Sequence, residues 1–251
     1  MTVGNRTQDP VLLNQAVRTY AQGLRSLTRA LSRAEGVKND DIFATITVFA
    51  ICELYDAIGA TGAGWGKHVK GIEQLIAARG PESIQSPLSH LLFSNARHGA
   101  LLFALIIRKA PLMARPDWRA VSNRGPTYDA SLGFYDVALQ IPGLLELGDG
   151  LTREERFPSI EEIDELLLDC KTIHSALLDW YSSWSLTVLV GTGIPVFAEM
   201  SIEAFPTFTG LCPDRIFQTA YNFPSFPVAY LASVSQRPRE DFYVTTMMLT
   251  A

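Results

Sequence analysis

The chain has 251 residues, with 21 Lys and Arg against 26 Asp and Glu, a formal charge of −5 and a pI near 5.4. Hydrophobic residues at 47% and charged residues at 19% exclude a disordered chain, and the length suits one large domain or two small ones, with a substantial core. The acidic balance argues against general binding to nucleic acid or anionic membranes, and three scattered cysteines (Cys52, Cys170, Cys212) exclude a disulfide framework or a cysteine zinc site.

Residues 1–10 are polar, so export through a signal peptide is not expected. The most apolar windows, 99–107 and 185–200, fall short of the roughly 18 residues that a spanning helix needs, so no membrane role is expected.

Asp9-Pro10 is a helix opening, an acceptor side chain at the cap followed by proline at the first helical position. Leu13, Val17, Tyr20, Leu24, Leu27 and Leu31 then step 4-3-4-3-4, which predicts a helix from 10 to about 33 with one apolar stripe. Asn39-Asp40-Asp41 caps a second helix, to about 58. It is apolar nearly all round (Ile42, Phe43, Ile46, Val48, Phe49, Ile51, Leu54) and so is placed in the middle of the core. Residues 59–64 form a glycine-rich break. Gly59, Gly62 and Gly64 do not match the order of a phosphate loop, and no strand precedes them.

A third helix runs over about 65–79 until Gly80-Pro81 stops it, and Ser86-Pro87 opens a fourth, to about 108. The stretch 109–128 holds three prolines and no period, and reads as a long loop. A fifth helix covers about 130–140. Ser159 and Glu162 make a capping box before a sixth, where Leu166, Cys170, Ile173, Leu177, Trp180 and Trp184 again step 4-3-4-3-4. Beyond 184 the pattern weakens: 185–190 is either a continuation or a turn, 223–227 reads as loop, and 214–221, 228–234 and 241–250 are short candidate helices. With no alternating strand pattern and no repeat, the expected fold is all-α, a single irregular multi-helix domain of antiparallel packed helices over 1–251.

One group of residues is specific enough to suggest a family. Glu53-Leu54-Tyr55-Asp56, then Trp65-x-x-His68-x-x-Gly71, Leu75-Ile76 and Arg79-Gly80-Pro81 resemble the signature of the fungal-specific transcription factor domain, the helical regulatory region that follows a binuclear zinc cluster in many fungal regulators. Residues 139–145 (Leu-Gln-Ile-Pro-Gly-Leu-Leu) and Leu178-x-Trp180-Tyr181 extend the likeness, which covers about 11–184. The resemblance implies an all-helical regulatory body, a nuclear location, and another transcription regulator or a small-molecule effector as partner. Control of a metabolic or secondary-metabolite pathway is the expected setting. The six-cysteine cluster of such regulators cannot be built from Cys52, Cys170 and Cys212, so direct DNA binding by the family's route is not expected. The chain reads as a shortened copy of the regulatory part, and a gene product lacking its first exon is a third reading.

For the signature residues two readings compete. In the first, Trp65, His68 and Gly71 lie on one side of a helix, Trp65 filling the gap to its neighbours, Gly71 allowing close approach, and His68 donating to Glu53 or Asp56. In the second, Glu53, Tyr55, Trp65 and His68 wall a small-molecule pocket, and a repurposed helical enzyme of cyclase or isomerase type would use Glu53, His68 and Tyr55. The first is preferred, because no nucleophile motif or metal spacing accompanies these residues: His90, His98 and His174 lack ligand spacing, and Glu161, Glu162, Asp164 and Glu165 suit a solvated helix start. Arg79 in a last helical turn complements the dipole and caps carbonyls. The sequence calls for no cofactor and no metal.

Overall fold

The Asp9 cap forms as its chemistry dictates: Oδ1 accepts from the backbone N–H groups of Val11 (2.8 Å) and Leu12 (3.2 Å), with Pro10 in the first turn. The computed structural model describes residues 9–33, 36–55, 63–121, 130–153, 157–205 and 218–235. Packing divides the chain into two compact units, 1–166 and 167–251.

The first unit begins with helix α1 (Pro10–Leu31), a 3-10 turn (Gly36–Lys38), α2 (Asp40–Tyr55), α3 (Ala63–Arg79) and α4 (Pro87–Ile107). It continues through the single turn α5 (Pro116–Arg119), α6 (Ala130–Ala138), α7 (Ile141–Arg153) and the start of α8 (Ile160–Thr192). Helix α2 packs on α1, α3 and α4, and α4 also meets α6 and α7. Phe43, Ile76, Val121 and Leu139 are fully enclosed, with Phe93, Ile84 and Met113 close behind. Burying side chains of this size supplies most of the driving force, about 1.5–3 kcal/mol each.

Helix α2 is not enclosed on all sides as its composition suggested. Ile42, Phe43, Ile46 and Phe49 are buried, whereas Val48 and Ile51 remain exposed, because its three helical neighbours leave one side uncovered. Helix α4 is long and apolar enough, by length and composition alone, to span a bilayer, which the shorter windows 99–107 and 185–200 did not suggest. In this fold Leu92, Phe93, Ala96, Ala100, Leu101 and Ala104 line its buried face, together with a buried charge, Arg97, bonded to Asp136 of α6.

Gly80 ends α3 at φ +76 and ψ +155, a backbone conformation closed to residues with a Cβ, and Pro81 follows in a 3-10 turn. The segment expected as a long loop is, over its described part (109–121), two short helical turns pinned by side chains. The Ala110 N–H donates to Glu146 (2.9 Å), the Leu112 N–H donates to Glu73 (2.5 Å), and buried Trp118 stacks on Phe93 at 5.9 Å. Arg108 enters this segment in the left-handed region (φ +54), its guanidinium forked onto Asp149 at 2.7–3.1 Å. Helix α7 carries no readable helix signal: Gly143, Gly148 and Gly150 are poor helix formers, and its packing on α4 with the Glu146 and Asp149 bonds to 108–110 supports it. The Ser159–Glu162 capping box forms reciprocally, with Ser159 N–H to Glu162 Oε2 at 2.8 Å and Glu162 N–H to Ser159 Oγ at 3.2 Å.

In the second unit α8 runs on to Thr192. Residues 185–190 continue the helix because no glycine or proline intervenes before Gly191, and Gly193 (φ +70) ends it with its N–H on the Leu189 carbonyl at 2.8 Å. Trp180 and Trp184 stack at 5.2 Å along this helix. Strands β1 (Ala198–Ser201) and β2 (Thr219–Asn222) then pair antiparallel, Ala198 opposite Asn222 and Ser201 opposite Thr219. The expected helix over 214–221 is therefore corrected at its end: 219–221 is strand, held by the Phe197–Tyr221 ring contact at 5.0 Å and by Thr219 Oγ1 donating to Glu199 at 2.7 Å. Helix α9 (Phe226–Ser235) starts inside the expected 223–227 loop, while 241–250 lies outside the described residues. Predominantly helical, with one two-stranded ladder among the described residues, the fold is all-α as expected.

Candidate functional site

Three helices of the first unit meet at one polar joint. Tyr20 of α1, reading inward from the apolar stripe, places its hydroxyl 2.6 Å from Glu53 Oε1 of α2 and 2.9 Å from His68 Nε2 of α3. A phenol has one proton. It goes to the carboxylate, so the Tyr20 oxygen accepts from the Nε2–H of neutral His68, a tautomer assigned from the network. Phe49 lies parallel to the His68 ring at 5.8 Å and receives the edge of Tyr20 at 4.9 Å. The expected Glu53–His68 pairing is thus bridged by a residue that pattern reading had counted only as part of a stripe.

The electrostatics suit a joint better than a reactive centre. Burial, then the hydrogen bond and charge of Glu53, push the Tyr20 phenol above its ordinary value of 10.0, so it stays protonated, the opposite of an activated base. Burial lowers His68 below 6.5 despite the opposing charge of Glu53, and burial alone lowers His98, which contacts the Tyr135 hydroxyl at 3.1 Å. Both histidines therefore fold preferentially neutral. Their stabilisation is fully present above the ordinary value of 6.5 and is lost as pH falls from there through the depressed folded values. Urea midpoints should decline between pH 7 and pH 5, and the double variant His68→Gln/His98→Gln should show a flatter profile over that interval.

Glycine makes room for the joint. A Cβ on Gly64 would sit 2.1 Å from Glu53 Oε2, one on Gly66 2.8 Å from the Phe103 ring, and one on Gly71 3.2 Å from Ile46. Gly64→Ala gains about 1 kcal/mol in helix propensity but displaces the carboxylate from Tyr20, a charged hydrogen bond worth about 1.5–3 kcal/mol, so a net loss of about 1 kcal/mol in urea unfolding is expected. Trp65 is half-buried and meets Phe103 of α4 edge-on at 6.2 Å. Tyr55 ends α2, and its side chain, like residues 56–62 with Asp56, Gly59 and Gly62, lies outside the described residues.

Arg79, expected to cap carbonyls of its own helix, bonds Asn39, Asp40 and Ser83. Buried, it reaches back to the start of α2, where its guanidinium bonds Asp40, donates to the Asn39 carbonyl at 3.3 Å and lies 5.4 Å from the centre of the Phe43 ring. Burial by itself raises the Asp40 carboxyl, but bonds from Ser86 (2.5 Å) and Arg79, with the Arg79 charge, hold it below its ordinary value. Arg79-Gly80-Pro81 is in this way a clasp between α2, α3 and the cap of α4.

Elsewhere in the unit a cleft of about 330 Å³ is lined by Pro116, Arg119, Ala120 and Asp136. None of these was singled out by motif or spacing. The signal that could have found them is Arg-Pro-Asp-Trp-Arg (115–119), where Asp117 pairs with Arg115 and leaves the second arginine, Arg119, beside Trp118. Among the described residues no group of three or more His, Cys, Asp or Glu is placed to hold a metal ion.

Comparison with known proteins bears on this arrangement. Residues 3–212 match the fungal specific transcription factor domain. An uncharacterized protein of Emericella nidulans is 26% identical over 215 residues, covering 79% of this chain. The chain spans 43% of that relative's length. No solved structure matches. The match takes in α1 to α8 with the Tyr20–Glu53–His68 joint and the Arg79 clasp, and the chain belongs to the fungal specific transcription factor domain family.

Proposed function

We propose that the chain is the regulatory body of a transcription-regulator-like protein, working in the nucleus by taking up a small effector or pairing with a second regulator, and adding no duplex contact of its own. The observation that carries this reading is the family match over 3–212. Two features support it. Of the signature residues, Glu53, His68 and Arg79 are spent on joining helices, and the acidic chain, with three dispersed cysteines, offers no cysteine cluster for gripping DNA. Control of a metabolic pathway is the setting this reading favours.

Tethering tests it. The chain is fused to a heterologous DNA-binding module in a filamentous fungus, upstream of a reporter gene. Expression should change several-fold, up or down, relative to the module alone. Expression equal to that of the module alone would contradict the proposal.

A further inference from the structure

We infer that the cleft between α5 and α6 is a binding site for a small organic monocarboxylate, whose acid group meets Arg119 and whose apolar body lies against Pro116 and Ala120. The inference deepens the effector-sensing reading above and rests on it for its meaning in the cell.

Arg119 is a charge with nothing among the described residues to satisfy it. Arg119 is half-buried, its Nε is sealed from water, and its guanidinium has no hydrogen-bond or ion-pair partner among the described residues. Leaving a buried donor unsatisfied is costly, the more so when it is charged, and native structures seldom keep one without a use. The nearest acid lining the cleft, Asp136, is already engaged by Arg97, whose side chain is 1% exposed. The lining itself holds one cation and one anion, but Arg97, which lies outside it, offsets Asp136, so Arg119 is the one lining charge without a counter-charge among the described residues. That balance suits a monoanion. A dianion would bring a second charge with no counterpart.

Position and shape agree. Arg119 is not on a loose arm: Trp118 beside it is buried and stacked on Phe93 of α4, and Asp136 is held on α6 by Arg97. The guanidinium is thus presented on a fixed turn, which keeps the ordering cost of binding low. About 330 Å³ lies at the small end of ligand sites. Pro116 and Ala120 give a ring or short chain an apolar wall, and a guanidinium is the side chain best suited to a carboxylate.

The test uses the full chain and three probes: benzoate, benzyl alcohol as its neutral counterpart, and inorganic phosphate. Titrations are followed by calorimetry. Benzoate should bind saturably at one site. Benzyl alcohol and phosphate should bind at least about tenfold more weakly, the first for want of charge and the second for want of an apolar body. Arg119→Gln should weaken benzoate by about tenfold or more. Ala120→Trp, which fills the cleft from an exposed position and keeps the charge, should also abolish binding, and circular dichroism checks that each variant folds. Benzoate binding equally well to Arg119→Gln, phosphate matching benzoate, or no benzoate binding to the folded chain would each overturn the inference. The reporter assay is read separately. A tethered chain that still changes expression but ignores benzoate removes this ligand class and leaves the regulatory reading standing. A silent tethered chain removes that reading whatever benzoate does.

Discussion

Replacing Arg97 by Met should lower the unfolding free energy of the first unit by about 3 kcal/mol, the low end for removing one partner of a buried pair. The guanidinium is 1% exposed, bonds Asp136 and lies 5.7 Å from the centre of the Tyr135 ring. Met keeps the volume of the stem but takes the cation away from a carboxylate that has left most of its water. Because Asp136 retains 23% of its side-chain exposure, solvent relieves part of the penalty, which keeps the estimate at the low end. The second substitution in the cycle makes the cause legible: Asp136→Leu added to Arg97→Met should restore most of the loss, since an apolar pair of similar volume replaces a buried ion pair at little cost. Urea unfolding followed by circular dichroism measures both. A loss below about 1 kcal/mol in the single variant, or none regained in the double, would contradict the role given to this pair.

The next largest effect belongs to Tyr20. Tyr20→Phe keeps the ring and its edge contact with Phe49 but removes the one hydroxyl that links α1, α2 and α3. A hydrogen bond to a charged partner contributes about 1.5–3 kcal/mol net, so a loss of about 2 kcal/mol is expected. In a Glu53→Gln background the same substitution should cost about half as much, because a neutral amide is the weaker acceptor. Equal costs in the two backgrounds would mean that Tyr20 acts through packing and not through the carboxylate.

These two sites show what a sequence can and cannot disclose. The four long helices from Pro10 to Ile107 were legible because apolar spacing, Asp9 and Ser86 caps and the Gly80-Pro81 stop all agree, and each agreement rests on chemistry within a few residues. Helix α7 was hidden because its glycines oppose its packing, and the β1–β2 pair because residues 202–218 separate the strands and no tight turn announces them. Glu53 and His68 could be named from the family-like string. The hydroxyl between them could not, since Tyr20 sits 33 residues from one and 48 from the other and looks like any aromatic in a stripe. Arg119 and Asp136 carry no motif at all. Only the fold places a cation without a partner among the described residues beside a cleft.

Together the Tyr20–Glu53–His68 joint and the Arg79 clasp give the family signature a mechanical meaning. Its described residues Glu53, His68 and Arg79, with Tyr20 between the first two, fasten α1, α2, α3 and the cap of α4, and the phenol and imidazole are held in their neutral forms. The proposed effector site, with Arg119, lies among other residues.

The measurement that tests this most directly sets reporter output against stability for the tethered chain carrying Tyr20→Phe, Glu53→Gln or His68→Gln. If the signature is a joint, output falls only as the folded fraction falls, and each variant recovers toward the parent level when the culture is grown cooler. A variant that melts with the parent chain yet gives no reporter response at any temperature would show those side chains to be acting on a ligand or a partner themselves, and the account would be wrong.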